Sequence, residues 1–240
     1  MFEITLPVLN EERTLKTQVL ILYHFLLNEV SAYPDWKIVI ADNGSTDNTQ
    51  GVGEKLAEEY ARIKYIRLEE TGVGLALQTS WRQSAADIVG YMDLDLATNL
   101  KHLSEAISAL ASGYDLVYAS RLAKESVIKG RRVIREISSR GFNFIARNYL
   151  GVHFSDGMCG FKFMKREVYE KLYAGGARSK TWFFSAELLA VAEWVKFKIY
   201  ELPVEWTDSA NSHVRIIPLA IQYLKAMKQL KQHKPAPLKE

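Results

Sequence analysis

Cysteine is nearly missing from this chain: Cys159 is the only one in 240 residues. That excludes an internal disulfide and a multi-cysteine zinc site, and it fits a reducing compartment. Long apolar runs are missing too. The most apolar stretch extends only from Val19 to Leu27, far short of the roughly 18 residues a membrane span needs. No basic segment precedes an apolar one at the N-terminus, so no signal peptide is expected there. Repeats and a clear linker are also lacking. What remains is 48% hydrophobic and 25% charged, ordinary for a soluble globular domain with a large core. A disordered tail, a collagen-like fibre and a disulfide scaffold are ruled out. A strong net charge is absent as well, but the total of +3 conceals an imbalance. Residues 1–120 carry 9 Lys/Arg against 17 Asp/Glu, whereas residues 121–240 carry 22 against 11. Such asymmetry can mark a basic patch for an anionic partner.

The first hundred residues alternate between strand and helix patterns. Phe2–Leu6 reads as an apolar strand ended by Pro7. Asn10 is placed to cap a helix from about Glu11 to Val30, with Glu11 and Glu12 in its first turn. Trp36–Ala41 is a second strand, followed by the polar turn Asp42-Asn43-Gly44-Ser45-Thr46-Asp47, from which Asp47 can cap a helix to about Ala61. Ile63–Leu68, a helix through Ala86 and Ile88–Met92 complete the series. Strands alternating with helices of this length predict right-handed βαβ units and a mainly parallel sheet flanked by helices. The second half is less regular. Strands are expected at Asp115–Ala119 and Lys198–Val204, and a strand leading into a helix between Asp156 and Tyr169. Helices are expected from Lys129 to about Leu150, at Glu187–Trp194 and at Ile216–Leu230, the last amphipathic with Lys225, Lys228 and Lys231 opposite its apolar stripe. Residues 1–230 are read as one domain and 231–240 as a polar tail.

Ligands of open α/β sheets bind outside the carboxyl ends of the strands, and acidic features fall there. Asp42 follows the second strand and can accept hydrogen bonds from a ribose or a base N–H, though Asp42 and Asp47 also suit plain turn and cap roles. Asp93-Leu94-Asp95 follows the fourth strand. On an extended segment its carboxylates point the same way, which suits Mg2+ or Mn2+ shared with substrate phosphates; a solvated strand end is the plainer alternative. Gly72-Val73-Gly74 lacks a third glycine at Leu77 and follows the third strand, so a dinucleotide-binding dehydrogenase is rejected. A tight turn that lets backbone approach a ligand is still compatible.

In order along the chain, these segments resemble family-2 inverting glycosyltransferases, most closely the dolichyl- or polyprenyl-phosphate mannosyl- and glucosyltransferases. The resemblance rests on Leu6-Pro7-Val8-Leu9-Asn10-Glu11-Glu12, the Asp42–Asp47 turn, Gly72-Val73-Gly74-Leu75-Ala76 and Met92-Asp93-Leu94-Asp95-Leu96. It continues through Ser120-Arg121, Asp156-Gly157-Met158-Cys159-Gly160-Phe161-Lys162, Glu187-Leu188, Leu202-Pro203-Val204 and Ser212-His213-Val214-Arg215. Relatives often carry a second Asp where this chain has Asn43, and sometimes Lys where it has Val73. The resemblance implies a GT-A type fold, a nucleotide/metal half over 1–120 and an acceptor half over 121–230. It implies a GDP- or UDP-hexose donor near Pro7, Asn10, Glu11, Asp42, Gly44, Ser45, Gly72 and Asp93, with Arg215 on the diphosphate. Asp93 and Asp95 would be the metal ligands, and Asp156 a base or acceptor-positioning group.

The acceptor follows from charge. A hydroxyl needs a general base, whereas a phosphomonoester is mostly dianionic at pH 7 and needs cations instead. Arg131 and Arg135 share a helix face, Glu136 can pair with Arg132 or Arg140, and Arg121 and Lys129 are nearby. A solvated basic helix is the plainer reading of the same run. Glu187 suits either a site contact or a helix-surface pair, and Cys159 suits a buried packing position. The resulting expectation is transfer of mannose or glucose to a polyprenyl phosphate, in the cytoplasm or at the cytoplasmic face of a membrane, touching the surface or a membrane-protein partner. A soluble hydroxyl acceptor and a non-catalytic nucleotide-sugar-binding regulator are the alternatives; no nucleic-acid motif is present.

Overall fold

A computed structural model describes residues 1–30, 32–130, 133–208 and 216–235, with the side chains of 133–135 and 216–220 excepted. Seven strands form the main sheet: β1 (Phe2–Val8), β2 (Trp36–Asp42), β3 (Ile63–Arg67), β4 (Ile88–Met92), β5 (Leu116–Ser120), β7 (Phe161–Lys165) and β8 (Ile199–Pro203). Their spatial order is β3-β2-β1-β4-β7-β5-β8. Pairings are parallel except those of β7, which runs antiparallel to both β4 and β5. Two short strands, β6 (Val127–Lys129) and β9 (Glu205–Thr207), pair in parallel beside it.

The helices are α1 (Leu15–Glu29), α2 (Thr49–Glu59), α3 (Val73–Arg82), α4 (His102–Ala111), α5 (Val133–Leu150), α6 (Arg166–Ala174), α7 (Phe184–Trp194) and α8 (Ile216–Gln232). Two hydrophobic clusters divide them. One joins α1, α2 and α4 through Leu15, Val19, Leu22, Leu56 and Leu103. The other joins α3, α5, α6, α7 and α8 through Trp81, Ala146, Tyr169, Leu189 and Met227. All of α7 except Glu193 is buried, as its apolar composition all round requires.

Several expectations need correction. Pro7 does not end β1. Its ring nitrogen faces the β4 side, where pairing stops at Thr5 opposite Tyr91, so the missing N–H costs no ladder bond. Nor does Asn10 cap α1: it adopts φ +57, and the helix starts at Leu15 after a turn from Glu11. The expected helix from Lys129 is instead strand β6 followed by α5. Helix α3 ends at Arg82, and α4 appears where no element was expected.

Candidate active site

The strand order reverses around β1, whose neighbours β2 and β4 lie on opposite sides. The crevice outside the carboxyl ends of strands at such a switch point is where α/β sheets hold ligands. Three groups of side chains meet around it.

The turn after β2 forms the first. Asp42 is fully buried; its Oδ1 accepts from Ser45 N at 2.8 Å, and its Oδ2 from Tyr65 Oη at 2.6 Å and Arg67 Nη1 at 3.1 Å. Both oxygens therefore shape the turn, and because the side chain is fully buried, a contact from Asp42 to a nucleoside requires the turn to open. Gly44 sits at φ +79, a conformation that favours glycine. Asn10 stitches the end of β1 to this turn: its N donates to Ser45 Oγ at 2.9 Å and its Oδ1 accepts from Thr46 N at 2.8 Å. Glu11 N donates to Thr49 Oγ1 at 2.7 Å, and Asp47 Oδ1 accepts from Thr49 N at 2.9 Å at the start of α2, whose N-cap position is taken by Asn48 rather than by Asp47. Gly72 N donates to Asn43 Oδ1 at 2.5 Å, and a Cβ at Gly72 would collide with the Lys180 carbonyl. Pro7, Asn10, Glu11, Asp42, Gly44, Ser45 and Gly72 are thus gathered around one turn.

The acid pair forms the second. Asp93 and Asp95 do not lie on an extended segment. The chain turns there, with Leu96 N donating to Asp93 O at 3.2 Å and Leu96 at φ +50, so the two carboxylates differ in setting. Asp95 is exposed, with its Oδ1 accepting from Ala97 N at 3.1 Å. Asp93 is turned inward, and its buried Oδ1 has no hydrogen-bond partner. Burial first, and the Asp95 charge second, push its carboxyl up to about 7. A buried acceptor with no donor beside a second carboxylate fits a divalent cation, which would satisfy the oxygen and offset both charges. Two hard carboxylates suit Mg2+ or Mn2+, with the remaining positions left to phosphate oxygens and water. No cluster of three His, Cys, Asp or Glu side chains with metal-binding proximity occurs among the described residues.

The third lies at the end of β5. Arg121 grips Asp156 in a fork, Nε to Oδ2 at 2.7 Å and Nη2 to Oδ1 at 2.9 Å, and its backbone N adds a bond to Oδ2 at 3.1 Å. Asp156 is fully buried; although burial alone would raise its carboxyl, the adjacent Arg121 holds it down at about 2. Two residues expected in separate roles are therefore partners, and of the two roles expected of Asp156, base or acceptor-positioning group, the pairing suits the second. The Arg121 guanidinium also lies 5.4 Å from the Trp206 ring centre. Arg131 and Arg215 lie outside the described residues, as does the side chain of Arg135. Glu136 pairs with Arg140 at 2.7 Å, one of its two expected partners.

Glu187 is not a surface pair. Its buried carboxylate accepts from Ser179 N at 2.7 Å and is pushed up to about 7 by burial. It holds the loop whose Lys180 carbonyl accepts from Leu75 N at 3.1 Å at the start of α3. Cys159 is buried, with its thiol pushed up to about 12 by the same cause, as a packing position requires. Sequence reasoning missed the burial of Lys162. The pattern Phe161-Lys162-Phe163 hid it, because a lysine alternating with aromatics reads as the solvent face of a strand, whereas both faces of this sheet are covered by hydrophobic clusters.

A mainly parallel sheet covered on both faces, with its crevice at the switch point, is a GT-A type fold. The chain belongs to glycosyl transferase family 2, whose model matches residues 3–173. Among curated relatives, glycosyltransferase AglD of Haloferax volcanii is 31% identical over 216 residues, covering 89% of this chain and 34% of that protein. Dolichyl-phosphate beta-glucosyltransferase ALG5C of Trichomonas vaginalis is 25% identical, covering 88% of this chain and 65% of its own length. The chain thus spans about a third of the first and just under two thirds of the second. Glucosyl-3-phosphoglycerate synthase from Mycobacterium tuberculosis shares the fold, with a TM-score of 0.71 at 20% identity over 98% of this chain and 81% of that one. A complex of that enzyme with Mn2+ and UDP-glucose gives a TM-score of 0.68 at 19% identity, over 99% and 80%.

Proposed function

We propose that this protein is a metal-dependent inverting hexosyltransferase that moves glucose or mannose from a nucleoside-diphosphate sugar to a polyprenyl or dolichyl phosphate. The observation that carries this reading is the Asp93–Asp95 turn at the switch point, with the orphaned Asp93 oxygen aimed at a cation. The names of the Trichomonas relatives favour a glucosyl donor and a dolichyl phosphate acceptor, and the Mn2+ and UDP-glucose complex of the mycobacterial enzyme favours a uridine nucleotide with such a metal.

Residues 1–230 serve in this reading as one catalytic domain, with the donor held by the half over 1–120 and the acceptor by the half over 121–230. Asp93 and Asp95 would hold Mg2+ or Mn2+, which would supply positive charge to offset that of the leaving diphosphate. The turn from Asp42 to Asp47, tied to Asn10 and Glu11, seats the nucleoside; Arg215 pairs with the diphosphate. Arg121, with Arg131 and Arg135, orients the acceptor phosphate. Asp156 aims Arg121 and takes no proton. That last point separates the two acceptor classes. A hydroxyl needs a base in reach, and the acid once expected to supply it is saturated by Arg121. A phosphate acceptor needs none.

A lipid acceptor also requires access to a membrane surface. No helix among the described residues is long and apolar enough to cross a membrane. Ile137, Phe144 and Ile145 of α5 and Ile221 and Leu224 of α8 are exposed, and Lys225 and Lys228 accompany them. An apolar face fringed by lysines suits peripheral contact with anionic lipid, here on the cytoplasmic side. The test is radiolabelled UDP-glucose or GDP-mannose with Mn2+ and a polyprenyl phosphate. Label extracted into organic solvent is the expected result; label confined to water-soluble product points to a hydroxyl acceptor and overturns the reading.

A further inference from the structure

Lys162 is the charged group that the mechanism above leaves without a task. It lies on β7, opposite Tyr91 of β4 and Tyr118 of β5, in the middle of the sheet. Its side chain is fully buried. No carboxylate among the described residues bonds to it. Its Nζ instead donates to Cys159 O at 2.8 Å, Gly157 O at 3.2 Å and Ser185 Oγ at 2.6 Å, which uses all three ammonium protons. Ser185 in turn accepts from Tyr91 Oη at 2.6 Å and donates to Gly157 O at 2.9 Å. Burial draws the ammonium down to about 8, against the fields of Asp156 and Asp93.

What these bonds hold is the loop over 156–160. The loop opens on Asp156, in the grip of Arg121, and Gly157 N donates to Asn143 Oδ1 at 2.9 Å. It closes on Gly160, whose carbonyl accepts from Asp93 N at 3.0 Å. Gly160 also forms the floor beneath the Asp93 carboxylate: a Cβ there would collide with both Asp93 oxygens. The position of Asp93 is therefore set by the path of this loop, and Lys162 fixes two of its carbonyls, that of Gly157 near its start and that of Cys159 next to Gly160. Simple packing would not call for an ammonium group, because a methionine of similar length fills the space with no charge to desolvate.

We propose that Lys162 is a positioning residue for Asp93, acting through the loop over 156–160 to hold that carboxylate in the position from which it would ligate a divalent cation. The inference rests on the reading of Asp93 as a metal ligand, and its test reads binding, not transfer.

UDP binding to the full chain is measured by calorimetry with and without Mn2+, alongside thermal melting. Mn2+ tightens UDP binding to the unaltered protein. In Lys162→Met that Mn2+-dependent gain falls by about 10- to 100-fold, the range for outer partners of metal ligands, and metal-free UDP affinity stays the same because the 42–47 turn makes no bond to this loop. Ser185→Ala, which keeps the ammonium and two of its acceptors, gives a smaller loss in the same direction and decides the matter should Lys162→Met fail to fold. A full Mn2+ gain in a folded variant overturns the inference. So does a parallel loss of metal-free binding, the mark of a merely structural role. An unaltered protein that binds UDP with no help from Mn2+ overturns the metal reading itself, and the inference with it.

Discussion

Asp93 makes the stability of the metal-free protein depend on pH in an unusual direction. Burial and the neighbouring Asp95 raise its carboxyl from 3.8 to about 7. Between those values the folded chain keeps a proton that the unfolded chain has released, so stability falls as pH rises through the window. At about 1.36 kcal/mol per unit, the full effect is about 4 kcal/mol, of which about 2.5 kcal/mol falls between pH 5 and pH 7.5. Glu187, raised from 4.5 to about 7 by burial, adds a trend of the same sign, so the wild-type slope alone does not isolate Asp93. The comparison with Asp93→Asn does, because the amide has no proton to lose. Urea unfolding in the presence of a chelator, at half-unit steps from pH 5 to pH 7.5, reads both proteins. The gap between them should close by about 2.5 kcal/mol on going down to pH 5. Adding Mn2+ and UDP, which favour the ionised carboxylate, should flatten the wild-type profile. Parallel curves for wild type and Asp93→Asn would refute the reasoning, since they would mean that Asp93 titrates alike in both states.

Asp156→Asn leaves the Arg121 guanidinium buried without its counter-charge, and should cost about 3–5 kcal/mol in urea unfolding; pairing it with Arg121→Met should recover part of that loss in a double-mutant cycle. The wild-type share of this pair is present above the unfolded pKa of 3.8 and is lost as pH falls toward about 2. On the outer face, Phe144→Glu together with Leu224→Glu should abolish co-sedimentation with anionic vesicles while UDP binding is unchanged, because both side chains are exposed and neither is among the groups proposed to hold the donor.

The first half of the fold was legible because its strands are short apolar runs, each ended by turn-forming residues. Ile88–Met92 matches its expected bounds, and Trp36–Asp42 and Ile63–Arg67 each differ by one residue. Helix α1 misled because Asn10 looked like a cap, but its side chain spans to Thr46, a partner 36 residues away that no local pattern reveals. The candidate site residues were legible as types and places in the chain. Their pairing was not: Arg121 and Asp156 are 35 residues apart, and only the fold makes one the other's partner. The period-2 argument for Asp93 and Asp95 failed because it presumed that β4 continued past Met92, whereas Asp93 N leaves the strand to bond Gly160 O.

The antiparallel run of β7 explains why the acidic and basic halves of the chain meet at one site. Strand β4 ends at Met92, which lies opposite Phe161, the first residue of β7. The segment before β7 therefore arrives at the same edge of the sheet where β4 and β5 deliver Asp93 and Arg121. Had β7 run parallel to its neighbours, the loop over 156–160 would enter at the far edge, a strand length from Asp93. Asp156 would then be out of reach of Arg121, and Gly160 could not lie beneath the Asp93 carboxylate. A single reversed strand in a sheet otherwise parallel thus brings Asp93 of one half near the arginine and buried lysine of the other.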